Sequence, residues 1–350
     1  MPSNHLPPDD PASTGSSDAS AAPRPSSFAS NRAARLVADI GGTRARFALL
    51  DEQGAPQQVQ ILAVADFAGP VEAIEAYLDE VGCNGLQAAA IALAAPVDEQ
   101  EIRLTNAAWT FARSEMKSRL GLARLLLLND FTALALALPH LAASELRQVG
   151  GGKGVALAAR AVLGPGTGLG VSGVVFDRGR WLALAGEGGH CSLAPADGRE
   201  SAILALAWRE LQHVSAERLL SGSGLPLLHR LVAEVDGRAC VALTPAEIVA
   251  QALANDDVQC RAVIDTFCAM LGSMAGNLAL TLGARGGVYI GGGIIPRLGE
   301  LFDRSPFRAR FETKGRFAAY LAAIPTYVML APTPALLGAA HALAESEDGP

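Results

Sequence analysis

Asp39-Ile-Gly-Gly-Thr43 and Gly164-Pro-Gly-Thr-Gly-Leu-Gly170 use one device twice. Each glycine run lies between two apolar stretches, 36–40 and 46–50 around the first, 161–163 and 171–176 around the second. That pattern predicts two β-hairpins whose glycine tips bare backbone N–H groups, with no side chain to hold an anion away. Two such tips across a cleft would grip a polyphosphate from both sides. Taken singly, each run reads equally as a tight turn. The pairing, with Asp39 before one turn and Thr43 and Thr167 inside them, carries the phosphate reading. Neither run is a P-loop or a dinucleotide fingerprint. Gly150-Gly-Gly-Lys153 lacks the leading glycine and trailing hydroxyl of the first. The G-x-G-x-G-x-G spacing at 164–170 is not the G-x-G-x-x-G of the second, and no helix opens after it.

Asn129-Asp130 ends a buried-strand pattern over 124–128, at the kind of sheet edge where α/β ligand sites gather. A carboxylate there could take a proton from an attacking hydroxyl, and the adjacent amide could donate to and accept from a polyol. The same pair also reads as the cap of the next helix. Glu187 and His190 share a loop with Gly188 and Gly189, and Glu217 lies in Ser215-Ala-Glu-Arg218. Two carboxylates and an imidazole near an Asn-Asp pair would suit a compact polyhydroxylated substrate. A histidine bonded to backbone and glutamates on a solvated face account for them equally well. Gly291-Gly-Gly293, between a strand and a helix, would let an aromatic ligand lie flat, but any tight strand-to-helix turn looks similar. No further Cys or His stands at ligand spacing from His190 and Cys191, so no metal site is expected.

The elements that position these residues follow from hydrophobic spacing. Two strands flank the first glycine turn, a helix spans 71–80, and 87–97 reads as a strand buried on both faces. A helix starts at Ser114, a strand spans 124–128, and a helix covers 131–138 up to Pro139. The second half repeats the theme with a hairpin over 155–176, a strand at 181–184 and a helix from 200 to about 213. Thr244-Pro-Ala-Glu247 has the threonine, early proline and glutamate of a helix N-terminus. A long apolar helix over 257–282, a strand at 288–290 and a closing helix from Thr333 to about Ala344 complete the chain. Strand-rich start, helices, strand-rich start, helices: the order suggests two α/β halves with a ligand cleft between them.

Composition narrows the class. With 350 residues, half of them hydrophobic, 18% charged and a net charge of −7, the chain is large enough for one large or two medium cores. The sequence pI of about 5.4 and the lack of a basic stripe argue against a nucleic-acid partner. A phosphate ligand must then be held by backbone dipoles and a divalent cation. Five scattered cysteines without a C-x-x-C pair predict reduced thiols in a cytoplasmic protein. No continuous apolar run approaches the ~20 residues of a membrane span. Residues 1–31, rich in Ser, Pro and Ala, predict a disordered tail rather than a targeting signal.

In this order, the segments resemble the bacterial ATP-dependent glucokinases of the sugar-kinase, Hsp70 and actin superfamily. The resemblance runs from about residue 36 to 343. It includes Leu104-Thr-Asn106 with Trp109, Leu128-Asn-Asp-Phe131, the two glycine turns, the 186–190 loop, 215–224, the triple glycine and Lys314-Gly-Arg-Phe317. It implies a two-domain actin-like ATPase (ribonuclease H-like) α/β fold, with a smaller domain over 32–140 plus 331–350 and a larger one over 141–330. The implied activity is phosphorylation of the glucose 6-hydroxyl by ATP, with Mg2+ bound alongside the nucleotide. Asp130 is implied as general base, with Asn129, Glu187, His190, Glu217 and the backbone of Gly168 around the sugar. Asp39, Gly41, Gly42 and Thr43 would form the first phosphate loop, Gly166, Thr167 and Gly168 the second, and Gly291, Gly292 and Gly293 would border the adenosine. Such proteins are often homodimers. A related repressor and sugar-kinase family usually carries a cysteine cluster after its histidine loop; Cys191 is followed by none, so no structural zinc is expected. Ser223 stands where a proline is common in the family, which predicts a looser loop.

Overall fold

The structure, a computed structural model, describes residues 34–97, 99–104 and 109–346. The 1–31 segment, Thr105 and Asn106, and residues 347–350 of the expected smaller domain lie outside the described residues. Strands β1 (Ala34–Ile40), β2 (Arg44–Leu50) and β3 (Pro56–Ala63) form an antiparallel meander. Helix α1 (Pro70–Val81) returns the chain to β4 (Leu86–Leu93), parallel to β1. A side hairpin, β5 (Glu101–Arg103) with β6 (Thr110–Ala112), and α2 (Arg113–Arg119) lead to β7 (Arg124–Asn129), parallel to β4. The sheet order is β3-β2-β1-β4-β7. Helix α3 (Asp130–Ala137) leaves the end of β7 directly.

The second sheet repeats the scheme. After β8 (Leu146–Val149), strands β9 (Arg160–Pro165), β10 (Leu169–Asp177) and β11 (Arg180–Leu184) make another antiparallel meander. Helices α4 (Gly198–Ala207), α5 (Ala216–Leu219), α6 (Leu225–Val235), α7 (Pro245–Ala254) and α8 (Val258–Leu282) precede β12 (Val288–Ile290), which lies parallel to β9. Short helices α9 (Ile295–Leu298), α10 (Glu300–Asp303), α11 (Phe307–Glu312) and α12 (Ala318–Ala322) lead to β13 (Thr326–Met329), parallel to β12. Helix α13 (Pro334–Glu345) closes the described chain. The order β11-β10-β9-β12-β13-β8 matches the first sheet except for the added β8. The duplication suggested by the glycine turns is thus a duplication of topology.

Alternation along β1 decides what faces what. Leu36, Ala38 and Ile40 pack on one side with Phe47, Ile74 and Tyr77, while Val37 packs on the other with Leu336, Ala339 and Leu343 of α13. The same period of two puts Asp39 on the Val37 side at the end of the strand. Across from it, Leu134 and Leu138 pack with Val162 and Val174 of the second sheet. The helices α3 and α13 therefore lie between the sheets and touch each other. They touch closely: a Cβ on Gly338 would collide with the Ala133 carbonyl and sit 3.0 Å from the Ala137 nitrogen. Beyond the second sheet, Phe267 and Leu271 of α8 join Phe307 and Phe311 of α11 in the largest core.

Two expectations need correction. By length and composition α8 could cross a membrane, although no unbroken apolar run of that length occurs; most of it is buried inside the protein, as a core helix. The 87–97 run stops being a strand at Leu93, where Ala94 makes a last bond to Ile40 and the chain turns.

The close helix crossing can be tested by the sign of one substitution. Helix propensity favours alanine over glycine by about 1 kcal/mol. Contact predicts the opposite for Gly338→Ala: a lower melting temperature, from an overpacking cost of about 1–3 kcal/mol. A thermal melt at or above the parent midpoint would show that α3 and α13 do not meet at Gly338.

Candidate active site

Asp130 is the first residue of α3, and the cap reading is correct for its neighbour. Asn129 Oδ1 accepts from the backbone nitrogens of Phe131 (2.9 Å) and Thr132 (3.2 Å). Its Nδ2 makes no hydrogen bond among the described residues. Asp130 Oδ1 also accepts from Phe131 N–H, at 2.9 Å. Burial pushes the Asp130 carboxyl up to about 6, and the negative charge of Asp39 adds to the rise, with a smaller addition from Glu187. Asp39 reaches this neighbourhood because β1, β4 and β7 are parallel and in register through Asp39, Ala92 and Leu128. Burial raises the Asp39 carboxyl too, against the opposing charge of Arg46. Arg46 Nη1 stands 2.9 Å from Asp39 Oδ2, and the two residues are direct cross-strand partners. Nothing in the sequence reading assigned Arg46. The signal was available, since 39 and 46 are equidistant from the turn, as paired hairpin residues are.

The first turn closes with Gly41 N–H bonded to the Arg44 carbonyl at 3.0 Å. That leaves the N–H groups of Gly42 and Thr43 without a hydrogen bond among the described residues. In the second turn Gly166 N–H bonds the Gly168 carbonyl at 2.8 Å, so it is not bare as expected. Those of Thr167 and Gly168 are. Their direction is fixed from behind. Gly222 N–H holds the Gly166 carbonyl at 2.7 Å, and Ser223 Oγ holds the Thr167 carbonyl at 2.9 Å. In a trans peptide the C=O and the following N–H point opposite ways. Anchoring both carbonyls on one side therefore aims both N–H groups to the other, as an anion nest requires. Ser223 also lends its own N–H to Thr167 at 3.4 Å. The serine ties this loop to the turn, where the sequence predicted loosening. Proline could offer neither donor.

Glu187, His190 and Glu217 converge although 27 to 30 positions separate the loop from Glu217. Residues on either side zip the segments together: Ala216 N–H bonds the Cys191 carbonyl at 2.9 Å, and Leu193 N–H bonds the Val214 carbonyl at 3.0 Å. His190 then lies 4.0 Å from Glu187 through Nε2 and 4.0 Å from Glu217 through Nδ1. Glu217 Oε2 accepts from Leu169 N–H at 2.8 Å, directly beside the second turn. A Cβ on Gly168 would stand 2.5 Å from that oxygen, so glycine is what lets the carboxylate approach. Glu187 and His190 are exposed, as ligand-facing groups can be, and Glu217 is half-buried.

Gly291 N–H bonds the Leu163 carbonyl at 2.9 Å, which brings the triple glycine against the second hairpin. Gly292 has φ +77°, and a Cβ there would collide with the Pro165 carbonyl. Gly292 and Gly293 are exposed residues, and their N–H groups make no hydrogen bond among the described residues. The arrangement therefore offers a raised carboxylate, three pairs of adjacent open N–H groups and a cluster of polyol partners. Phosphate positioning and proton abstraction from a hydroxyl are the chemistry it can support.

Two sheets of one topology around a shared helix pair, with glycine turns at corresponding places, define the actin-like ATPase fold. The description "Glucokinase" is that of the family matched by residues 36–346. A glucokinase from Chromobacterium violaceum is 53% identical over 311 residues, covering 89% of each chain. A solved glucokinase from an Antarctic psychrotroph superposes with a TM-score of 0.80 at 35% identity, over 90% of this chain and all of the other. A ROK family glucokinase from Streptomyces griseus, solved with glucose and AMPPNP, shares the fold at TM-score 0.61 and 21% identity, over 89% and 99% of the chains. The chain belongs to the glucokinase family.

The environment of Asp130 makes a stability prediction. A carboxyl whose value rises from 3.8 to about 6 on folding costs stability as pH climbs between those values, and the whole cost is present above them. Asp130→Asn removes that cost and keeps an oxygen for Phe131 N–H. It should melt above the parent at a pH of about 7.5 and converge with it near pH 4. Equal midpoints at both would mean that no buried charge is being removed.

Proposed function

We infer that the chain phosphorylates D-glucose with ATP, giving glucose 6-phosphate for glycolysis, and that Asp130 is the general base. The family membership supports the reaction. The observation that carries the residue assignment is a raised carboxylate at a strand end, beside Asp39 of the first glycine turn, with its neighbour Phe131 packed on the second. In the step proposed, Asp130 accepts the proton of the sugar 6-hydroxyl as its oxygen attacks the γ-phosphorus. The bond to the bridging oxygen breaks and ADP leaves. A group near pH 6 is half ionised there and mostly ionised at neutral pH, yet still basic enough to take a proton.

Asn129 Nδ2, Glu187, His190, Glu217 and the Gly168 backbone are assigned to the sugar hydroxyls. Two hydrogen-bonding carboxylates that would be left unpaired by an analogue lacking a hydroxyl give a route to strong selectivity. Asp39 with the open N–H groups of Gly42 and Thr43 is assigned to one side of the phosphates, and Gly166, Thr167 and Gly168 to the other. Gly291, Gly292 and Gly293 are assigned to the adenosine. Mg2+ would arrive with the nucleotide and offset phosphate charge beside two carboxylates. We place the smaller lobe at 32–140 plus 331–350 and the larger at 141–330, which corresponds to the membership of the two sheets. All five cysteines are unpaired, which fits a reducing compartment and a cytoplasmic enzyme. A homodimer rests on the family resemblance, and light scattering tests it. No zinc requirement is proposed, because Cys191 is not followed by the cysteine cluster usual in the repressor and sugar-kinase family.

Two measurements test the assignment. Asp130→Asn should lower turnover by ~10²–10⁴, while glucose affinity by calorimetry changes far less. The parent kcat/KM should rise with pH through about 6 and level off above it, because only the ionised carboxylate accepts the proton. A folded Asp130→Asn enzyme with near-full turnover would sink the role of base. Activity should also survive a zinc-selective chelator once magnesium is restored. Its loss with release of stoichiometric zinc would overturn the zinc-free reading.

A further inference from the structure

Gly164 and Gly170 do not belong to the nest. They are direct cross-strand partners at the neck of the β9–β10 hairpin, below the tip that carries Thr167 and Gly168. What occupies the space above them is the ring of Phe131. A Cβ on Gly164 would stand 2.8 Å from Phe131 Cζ, and a Cβ on Gly170 would fall inside the ring. Glycine within a strand weakens it, so a facing pair marks a close approach by another group. Phe131 is also bound covalently and by hydrogen bond to the residues assigned to catalysis. Its N–H is shared between Asn129 Oδ1 and Asp130 Oδ1, each at 2.9 Å.

We propose that Phe131 is a positioning residue: its ring, seated on the Gly164–Gly170 pair, fixes the separation between Asp130 and the phosphate-holding N–H groups of Thr167 and Gly168. The inference rests on Asp130 being the base and on the second turn holding phosphate. Asp130 belongs to the first sheet's last connection, while the nest belongs to the second sheet. A rigid ring on a flat glycine floor is a stop that sets how near the two can come. In-line transfer depends on that distance, and a misplacement of ~1 Å can cost about 10²-fold. The spacing of the motif is then divided by use. Gly164 and Gly170 admit the ring, Gly168 admits Glu217, and Gly166 has no atom within 4 Å of where a Cβ would be.

The test compares Phe131→Leu, Gly170→Ala, the double variant of these two and, separately, Asp130→Asn, all in the full chain. Leucine keeps the apolar character but lacks a flat ring of the same reach; alanine at 170 displaces the ring from its seat. Each single variant, assayed well below its melting temperature, should lose roughly 10-fold to 10²-fold in kcat and raise the KM for ATP. Glucose affinity by calorimetry should stay within about twofold, because the sugar groups other than Asp130 are untouched. The combination should lose no more than the worse single variant, since both remove one contact. Folded variants with kcat and KM for ATP near the parent, or losses that simply multiply, overturn the proposal. If one single variant fails to fold, the other gives the same readout. Asp130→Asn separates the two readings: full turnover there defeats the base assignment, whereas its loss beside an unaffected Phe131→Leu defeats only the role of the ring.

Discussion

The first turn of α3 carries the constraint to which the rest of the structure answers. Within three residues the chain must end a parallel strand, cap a helix, bury a carboxylate and set a ring against the other sheet. Asn129 takes the cap, which releases Asp130 from that duty and leaves it half-buried, its Oδ1 accepting from Phe131 N–H. If Asp130 were the cap, its charge would be spread over the helix N–H groups and its carboxyl held low, as capping carboxylates are. The division of labour between two adjacent residues is what allows a raised carboxylate at a helix start, a position that ordinarily favours negative charge. The close crossing at Gly338 then holds α3 to α13, and through it to the first sheet.

Electrostatics imposes a second condition. Asp39 and Asp130 are both raised by burial, the charge of Asp39 raises Asp130 further, and Arg46 is paired with Asp39. Bringing three phosphates to such a place is unfavourable unless their charge is met by something other than lysine. The pairs of open N–H groups in the glycine turns supply partial positive charge at fixed geometry, without the flexibility of a long side chain. In the proposed reaction a cation travelling with the nucleotide would supply the rest. An overall acidic chain can therefore bind a polyanion, because the dipoles that matter are local and preset.

Much of this was legible in the sequence because glycine and capping residues act locally. Both hairpins, the end of β7 and the Thr244 cap follow from neighbours within a few positions, and the Thr244–Glu247 capping box forms as its spacing predicts. Strand β3 escaped because it is an edge strand with largely exposed Gln57, Gln58 and Val59, so no alternation betrays it. Strands β8 and β13 are four residues each, too short for a period to show. Helix α6 was missed although its apolar face is buried, since Leu225-Pro-Leu-Leu reads as loop or strand as easily as helix. At the site, residue types were legible and contacts were not. Glu217 reaches Leu169 N–H across 48 positions, and only the pairing of 191–193 with 214–216 brings them together.

The duplicated topology sharpens what the two glycine turns have in common and where they part. Both link the first two strands of a meander whose first strand then runs parallel to the next in the sheet. Both retain two adjacent open N–H groups. The first is closed by the bond from Gly41 to Arg44, takes a bond from Val64 N–H just after β3 of its own sheet to the Thr43 carbonyl, and is flanked by Asp39. The second is also closed within itself, by the bond from Gly166 to Gly168, and is further anchored from outside, by Gly222 and Ser223 behind, Glu217 beside and Phe131 below. A turn stabilised by its own hairpin can move with its sheet as a unit. A turn held also by the 217–223 segment and by Phe131 can keep its shape only while those two hold theirs. The shape of the second turn therefore depends on the 217–223 segment and on the ring of Phe131, the residue next to Asp130, keeping their places.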